Sequence, residues 1–257
     1  MERDAKPKAR VLIVDDSRFM RGYVLKLLTS AGYEVDQAED GTTALKRLET
    51  GRYDVVVTDL NMPALDGFAV LETVKLRDLG AEVVILTGSH AKDIDSAIRA
   101  LRLGAHDYLT KPLAAPEQAL LAVERAVEKK RQREALRASE QRFHSFFDRV
   151  PVGLYRSNPE GRLLEVNLAL VQMLGYASRE ALLAASAQDL YAEASDRAQW
   201  QERLVEEGAL HHFDVCLRRQ DGTTLRAEEY TRIVDDELTG ARYYEGCLVD
   251  ASHHPPR

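Results

Sequence analysis

The sequence predicts a two-part chain: a five-stranded parallel (βα)5 doubly wound α/β domain, then a long linker helix leading into an α+β domain on a five-stranded antiparallel sheet. Three observations predict it. From residue 10 to about 127, short apolar runs alternate with helical patterns, as in βα units winding a parallel sheet. Beyond Pro116, to about Phe147, the chain has neither Gly nor Pro and is crowded with Ala, Leu, Glu, Lys, Arg and Gln, all good helix formers. After that come long alternating runs separated by turn sequences, the pattern of antiparallel hairpins.

In the first part the strands are expected at Val11 to Val14, Val35 to Ala38, Val55 to Thr58, Val83 to Leu86 and Tyr108 to Leu109. Gly32, Gly51, Gly80 and Gly104 punctuate the helices and loops before them. Runs such as VLIV and VVIL do not alternate in polarity, as befits strands covered by helices on both faces. The helical stretch has a strongly charged middle, Glu128 to Arg137, while Leu136, Phe143 and Phe146 fall near heptad spacing. Both a solvated linker and a short coiled-coil seam fit that pattern. The last part begins with a strand near Gly153 to Arg156 and a turn at Asn158-Pro159-Glu160-Gly161, followed by helical stretches from Asn167 to about Gly208. Strands Phe213 to Arg219, Thr224 to Val234 and Tyr243 to Val249 then turn at Gln220-Asp221-Gly222 and at Asp236 to Gly240. Helices are expected on one side of that sheet.

With 257 residues, 45% of them hydrophobic, the chain can bury two cores. The 42 acidic and 35 basic residues leave a net charge of -7 and a pI near 5.6, which argues against nucleic acid or an anionic membrane as partner. No stretch approaches the roughly 20 apolar residues of a membrane span, and MERDAKPKAR lacks the apolar core of a signal peptide, so a cytoplasmic location is expected. Cys216 and Cys247 lie far apart within apolar alternating runs and read as buried thiols rather than a disulfide.

In an open parallel sheet the functional crevice lies beyond the carboxyl ends of the strands. There the sequence places Asp15 and Asp16 after the first strand, Asp59 after the third, Thr87 at the end of the fourth, and Lys111 before Pro112 after the fifth. Three carboxylates gathered at one edge repel one another unless a cation or a basic group sits among them. Hard oxygen ligands suit Mg²⁺, which keeps several waters and accepts one or two carboxylates plus a phosphate oxygen. A carboxylate beside such a cation can attack a phosphoryl group, with the metal and Lys111 neutralising the transferring oxygens and Thr87 bonding to the product. Taken singly these residues have plainer readings. Asp15 or Asp16 could cap a helix, Asp59 could open a turn before Met62-Pro63, and Tyr108 could be an ordinary strand aromatic. Asp66-Gly67 is read simply as a helix start, and His90 and His106 as surface residues.

VLIVDDS, VVVTDLNMPALDGF, VVILTGS and GAHDYLTKP, in this order and spacing, resemble the response-regulator receiver family over residues 9 to 127. The resemblance implies that Asp59 is the phosphoacceptor and that Asp15, Asp16, Asp59 and the backbone carbonyl of Asn61 hold Mg²⁺. It also implies that Lys111 binds the phosphoryl group, ahead of a usually cis proline, and that Thr87 and Tyr108 rearrange on phosphorylation. No key position departs from the family pattern. FFDRVPVGLYRSNPEGRLLEVNLALVQMLGY, RRQDGTTLRAEEYTRIVDD and YYEGCLVDAS are similar to the PAS sensory family over residues 138 to 251. The expected division is a receiver domain at 9–127, a helical linker at 128–147 and a PAS domain at 148–251.

The implied partner is a histidine kinase or phosphotransfer protein, with a homodimer through linker and PAS domain as a further expectation. The PAS pocket is expected to be filled by side chains, with Trp200 and Tyr191 packing under the sheet or lining it, and no ligand is assigned. A reactive Asn-Cys-Arg context for a flavin is missing, and His211 and His212, like His253 and His254, read as exposed rather than as haem or metal ligands. No ATP-binding box, phosphorylatable-His helix pair or DNA-recognition helix is legible, so the expected chemistry is self-phosphorylation and autodephosphorylation. Two organisations fit equally: a stand-alone regulator, or the N-terminal regulatory part of a larger PAS-containing histidine kinase or diguanylate cyclase. An aspartyl-phosphate enzyme of the haloacid-dehalogenase kind is disfavoured, because its nucleophile sits two residues before a second Asp on the first strand, whereas Asp15 and Asp16 are adjacent. A pure sensor with an inert receiver is disfavoured because every residue needed for the chemistry is present.

Overall fold

The structure, a computed structural model, describes residues 7–88, 93–113, 115–237 and 239–252. The chain divides into two compact units, Met1–Ala138 and Ser139–Arg257.

In the first unit, strands β1 (Arg10–Val14), β2 (Glu34–Ala38), β3 (Val55–Thr58), β4 (Glu82–Gly88) and β5 (Asp107–Lys111) pair in the order β2-β1-β3-β4-β5, every pair parallel. Alternate residues of each apolar strand feed opposite faces. Leu12, Val14, Val56, Val83 and Ile85 pack with Ala44 and Leu48 of α2 (Gly41–Thr50), with Val70, Leu71 and Val74 of α3 (Gly67–Leu76), and with Ala100 of α4 (Asp93–Arg102). Val11, Ile13, Val55, Val57, Val84 and Leu86 pack with Val24 and Leu28 of α1 (Arg18–Ser30) and with Ala122, Val123, Ala126 and Val127 of α5 (Pro116–Arg149). This two-sided burial is why VLIV and VVIL show no alternation of polarity in sequence.

Local capping fixes where the helices start. Ser17, Asp40 and Asp66 each accept a backbone N–H from the first turn of their helix, from Met20, Thr43 and Ala69, leaving fewer donors unpaired at each N-terminus. Asp66-Gly67 therefore opens α3 as its sequence suggests. Ser17, rather than either neighbouring acid, caps α1, which leaves Asp15 and Asp16 available for other contacts.

The second unit carries β6 (Gly153–Ser157), β7 (Leu163–Val166), β8 (Ala209–Arg218), β9 (Thr224–Asp235) and β10 (Arg242–Asp250), antiparallel in the order β7-β6-β10-β9-β8. Between β7 and β8 lie α6 (Leu168–Met173), α7 (Arg179–Leu183), a 3-10 turn (Ala187–Leu190) and α8 (Ala194–Glu207). Asn167 is fully buried and joins three segments: its Oδ1 accepts from Leu154 and Leu170 amides, while its Nδ2 donates to the Phe147 and Val152 carbonyls. Trp200 sits at the centre of the core, edge-on to Tyr244 at 5.5 Å, with Leu170, Leu174, Leu182, Leu204 and Leu210 around it.

Several elements differ from the sequence reading. The β5 strand extends past Leu109 to Lys111. Strand β7 was not anticipated, because the four residues LLEV are too short to show alternation. The β8 strand begins four residues before Phe213, and the register slips between Leu210 and Phe213, where His212 adopts a left-handed conformation with φ 57°. Cys216 and Cys247 are free thiols, half-buried rather than buried. His106 is half-buried rather than on the surface, and its burial pulls the imidazole below its usual range. Trp200 and Tyr191 are both buried core residues. His90, His253 and His254 lie outside the described residues.

Candidate functional site

The carboxyl edge of the parallel sheet brings the anticipated residues together. β1 runs directly into Asp15 and Asp16, and β3 into Asp59. One oxygen from each of the three lies within 4.8 Å of the others, with Asp15 and Asp59 buried and Asp16 exposed. From the end of β5, Lys111 Nζ donates to Asp15 Oδ2 at 2.6 Å and to Asp59 Oδ2 at 2.7 Å. The Lys111-Pro112 peptide is cis.

Backbone donors hold the acids in place. The Ser17 amide donates to Asp15 Oδ1 at 2.8 Å, and the Asn61 amide to Asp59 Oδ1 at 3.3 Å. Arg21, one turn into α1, braces the acidic loop from below by donating to the carbonyls of Asp15 and Asp16. Thr87, only 1% exposed near the end of β4, accepts from the Asn61 side-chain amide at 3.3 Å, which links the loop after β3 to the last turn of β4. Tyr108 is half-buried on β5, opposite Ile85, two residues back along the ladder from the Thr87–Thr110 pair.

The electrostatics follow from burial. Desolvation is the largest influence on Asp15 and pushes its carboxyl above the usual range, against the pull of Lys111 and the Ser17 amide. Burial alone would lower the Lys111 ammonium, yet its hydrogen bonds and attraction to Asp15 and Asp59 outweigh that and leave it raised. Three carboxylates facing one ammonium still carry excess negative charge. That donor set, all hard oxygen, suits a small divalent cation.

Gly67 belongs to the site's construction and carried no functional signal in sequence beyond a helix start. A Cβ at this position would fall on the backbone carbonyl of Asp59, so only glycine lets α3 approach the acid-bearing loop this closely. Gly67→Ala is expected to destabilise the first unit by about 1–3 kcal/mol through overpacking and to disturb Asp59. Asp66→Ala, which removes only the α3 cap, is expected to lose about 1 kcal/mol with the site intact. Thermal melts with and without Mg²⁺ separate them: the Mg²⁺-induced rise in Tm should shrink in the first and persist in the second.

The second unit has its own buried polar group. Glu229 is 2% exposed and accepts from the hydroxyls of Tyr155 and Thr231, and burial raises its carboxyl. Arg197, also buried, lies 4.2 Å over the Trp200 ring and 5.4 Å from that of Tyr191. Side chains fill this interior down to a space of about 30 Å³, the room of a single water molecule. A larger groove of about 660 Å³ lies on the other face of the sheet, lined by residues including Phe143, Phe146, Leu154, Tyr230 and Cys247. Among the described residues no helix is long and apolar enough to cross a membrane.

Comparison with known proteins agrees with both units. The family model described as the response regulator receiver domain matches residues 11–124, and that of the PAS domain matches residues 141–207. The transcriptional activator protein IrlR of Burkholderia pseudomallei is 40% identical over 103 residues, covering 40% of this chain and 44% of IrlR. The response regulator MprA of Mycobacterium bovis is 35% identical over 167 residues, covering 64% of this chain and 71% of MprA. A receiver domain structure from Clostridium thermocellum aligns with 33% identity over 48% of this chain and 98% of its own, with a TM-score of 0.45. The chain thus spans less than half the length of IrlR and nearly three quarters of MprA. It belongs to the response-regulator family, as a receiver domain followed by a PAS domain, and so to two-component signalling proteins.

Proposed function

We propose that this chain accepts a phosphoryl group on Asp59 from the phosphohistidine of a histidine kinase or phosphotransfer protein and relays its phosphorylation state to the PAS domain. The observation that carries this reading is the single ammonium of Lys111 bonded to both Asp15 and Asp59 within a cluster of three carboxylates.

In the transfer, an Asp59 carboxylate oxygen attacks phosphorus, the P–N bond of the donor breaks, and its electron pair returns to the imidazole nitrogen. Asp15, Asp16, Asp59 and the Asn61 backbone carbonyl would hold Mg²⁺, which would neutralise charge on the phosphoryl oxygens. Lys111 exchanges its bond to Asp59 for one to the phosphoryl group, and its charge stabilises the oxygens as they crowd the site. Thr87 donates its hydroxyl to the new phosphoryl group, drawing in the end of β4, and Tyr108 rearranges with it as the switch residue. Hydrolysis of the acyl phosphate by water restores the carboxylate, so the chain's own chemistry is self-phosphorylation and autodephosphorylation.

We take residues 9–127 as the receiver domain, 128–147 as the helical linker and 148–251 as the PAS domain, acting in the cytoplasm. The acidic balance of the chain supports partners other than nucleic acid and membranes. Leu136, Phe143 and Phe146 are 61%, 55% and 70% exposed on one helix, apolar surface that supports homodimer formation through the linker and PAS domain.

The test is intact-mass measurement after incubation with acetyl phosphate. The native chain with Mg²⁺ is expected to gain one phosphoryl group, and chelator or Asp59→Ala to abolish the gain. A native chain that stays unmodified with Mg²⁺ would remove the phosphoacceptor reading.

A further inference from the structure

The charged run in the middle of α5 reads in sequence as solvated or as part of a coiled-coil seam. Structurally, part of it is gripped. The face that packs on the sheet through Ala119, Ala122, Val123, Ala126 and Val127 continues past the end of the apolar floor as Lys130, Arg133 and Arg137, keeping the helical repeat. Lys130 is only 8% exposed. Its ammonium donates to Asp54 Oδ1 at 2.7 Å and to the Tyr53 carbonyl at 3.3 Å. Arg133 donates to Glu82 Oε1 at 2.7 Å and to the Gly80 carbonyl at 3.3 Å, and Arg131 donates to the Lys8 carbonyl at 2.6 Å.

The two acids are shared between sheet and helix. Asp54 receives the Arg10 amide on Oδ2 at 2.7 Å, leaving Oδ1 for Lys130. Glu82 is fully buried and takes Lys75 from α3 on Oε2 and Arg133 on Oε1. Exposed ion pairs contribute little, and the Arg137–Asp78 pair, exposed on both sides, is of that kind. Removing one partner from a buried pair strands a charge, which makes the Lys130 and Arg133 contacts much stronger constraints.

Placement gives these contacts a use. Asp54 immediately precedes β3 and Asp59 immediately follows it; Glu82 opens β4, and Thr87 lies near its end. The two strands that present the phosphoacceptor and the switch threonine at one edge therefore hold the helix at the other, about 17 Å away at the rise of an extended strand. We propose that residues 128–137 form an ionic latch on the amino edges of β3 and β4, through which the state of Asp59 and Thr87 is read out as the grip on the helix. The relay half of this rests on Asp59 being the phosphoacceptor; the latch itself does not.

Hydrogen exchange on the full chain tests both halves. The variant is Glu82→Gln combined with Arg133→Met, which withdraws both charges of the helix–strand pair and leaves Lys75, whose side chain is partly open to solvent, to be neutralised by water and salt, with Lys130→Met as a second variant on the helix side alone. Folding is verified by unchanged protection of β1 and β3. Amides of residues 128–137 should exchange at least ~10-fold faster in both variants than in the native chain. In the native chain, beryllofluoride with Mg²⁺ should change protection of this segment, and the double variant should lose that response. Equal protection of 128–137 in native and variant chains overturns the latch. A response to beryllofluoride that survives in the double variant, or is absent from a native chain that labels with acetyl phosphate, overturns the relay. Failure of the native chain to label removes the phosphoacceptor reading and the relay with it, and the comparison of unmodified chains still decides the latch.

Discussion

Lys111→Met should destabilise the first unit by about 3 kcal/mol at neutral pH, because it leaves two buried carboxylates without the ammonium they share. The loss should depend on pH in a defined direction. Burial already raises the Asp15 carboxyl, and without the ammonium it rises further. A carboxyl raised in the folded state favours folding where it is protonated and opposes it where it must ionise, so the variant should lie close to the native protein near pH 4 and fall behind as pH increases to 7. Added Mg²⁺ should narrow the gap, since the cation takes over part of the neutralisation. The Mg²⁺-induced rise in Tm should therefore be larger in Lys111→Met than in the native chain. Phosphoryl labelling should move the other way, falling by about 10²-fold or more, because a charge that stabilises the transferring oxygens has gone. Denaturant melts at several pH values and a labelling time course check each part. A variant that is as stable as the native chain at pH 7 would mean that the amine does not balance these acids.

Trp200→Ala should have the largest effect outside that site. The indole is fully buried, contacts Tyr244 edge-on and lies under the Arg197 guanidinium, so truncation leaves a cavity that the surrounding leucines cannot close and takes from a buried cation the nearer of its two aromatic rings. A loss of about 4 kcal/mol is expected, a large part of the 5–15 kcal/mol that typically holds a domain together. The core around Trp200 shares no residues with those of the first unit. Calorimetry should accordingly show a separate low-temperature transition for the second unit, while labelling at Asp59 continues below it. One cooperative transition displaced as a whole would show that the units unfold together.

These two sites differ in how legible they were. Asp15, Asp16, Asp59, Thr87 and Lys111 could be placed from sequence because each follows or ends an apolar run, and parallel strands deliver their carboxyl ends to one edge whatever the loops do. Strand limits were less legible: β5 extends to Lys111 because Thr110 and Lys111 pair with Thr87 and Gly88, a partner-dependent fact that composition does not carry. The Glu128 to Arg137 run illustrates the same limit for charge. Lys130 and Arg133 look solvated until Asp54 and Glu82, roughly 50 to 75 residues away in sequence, are brought beneath them by the sheet. Gly67 was hidden for a related reason, since its need for a missing Cβ arises from the Asp59 carbonyl across the loop rather than from its own turn. The bulge at His212 is set by the register between β8 and β9, and His211-His212 gives no turn signal of its own.

The most direct measurement is the position of the phosphoryl group. After incubation with acetyl phosphate and Mg²⁺, borohydride converts an aspartyl phosphate to homoserine, which peptide mass mapping locates at a single residue. Conversion at residue 59, absent when chelator is present, is the predicted result. Conversion at residue 15 or 16, or none anywhere in a folded chain, would contradict it.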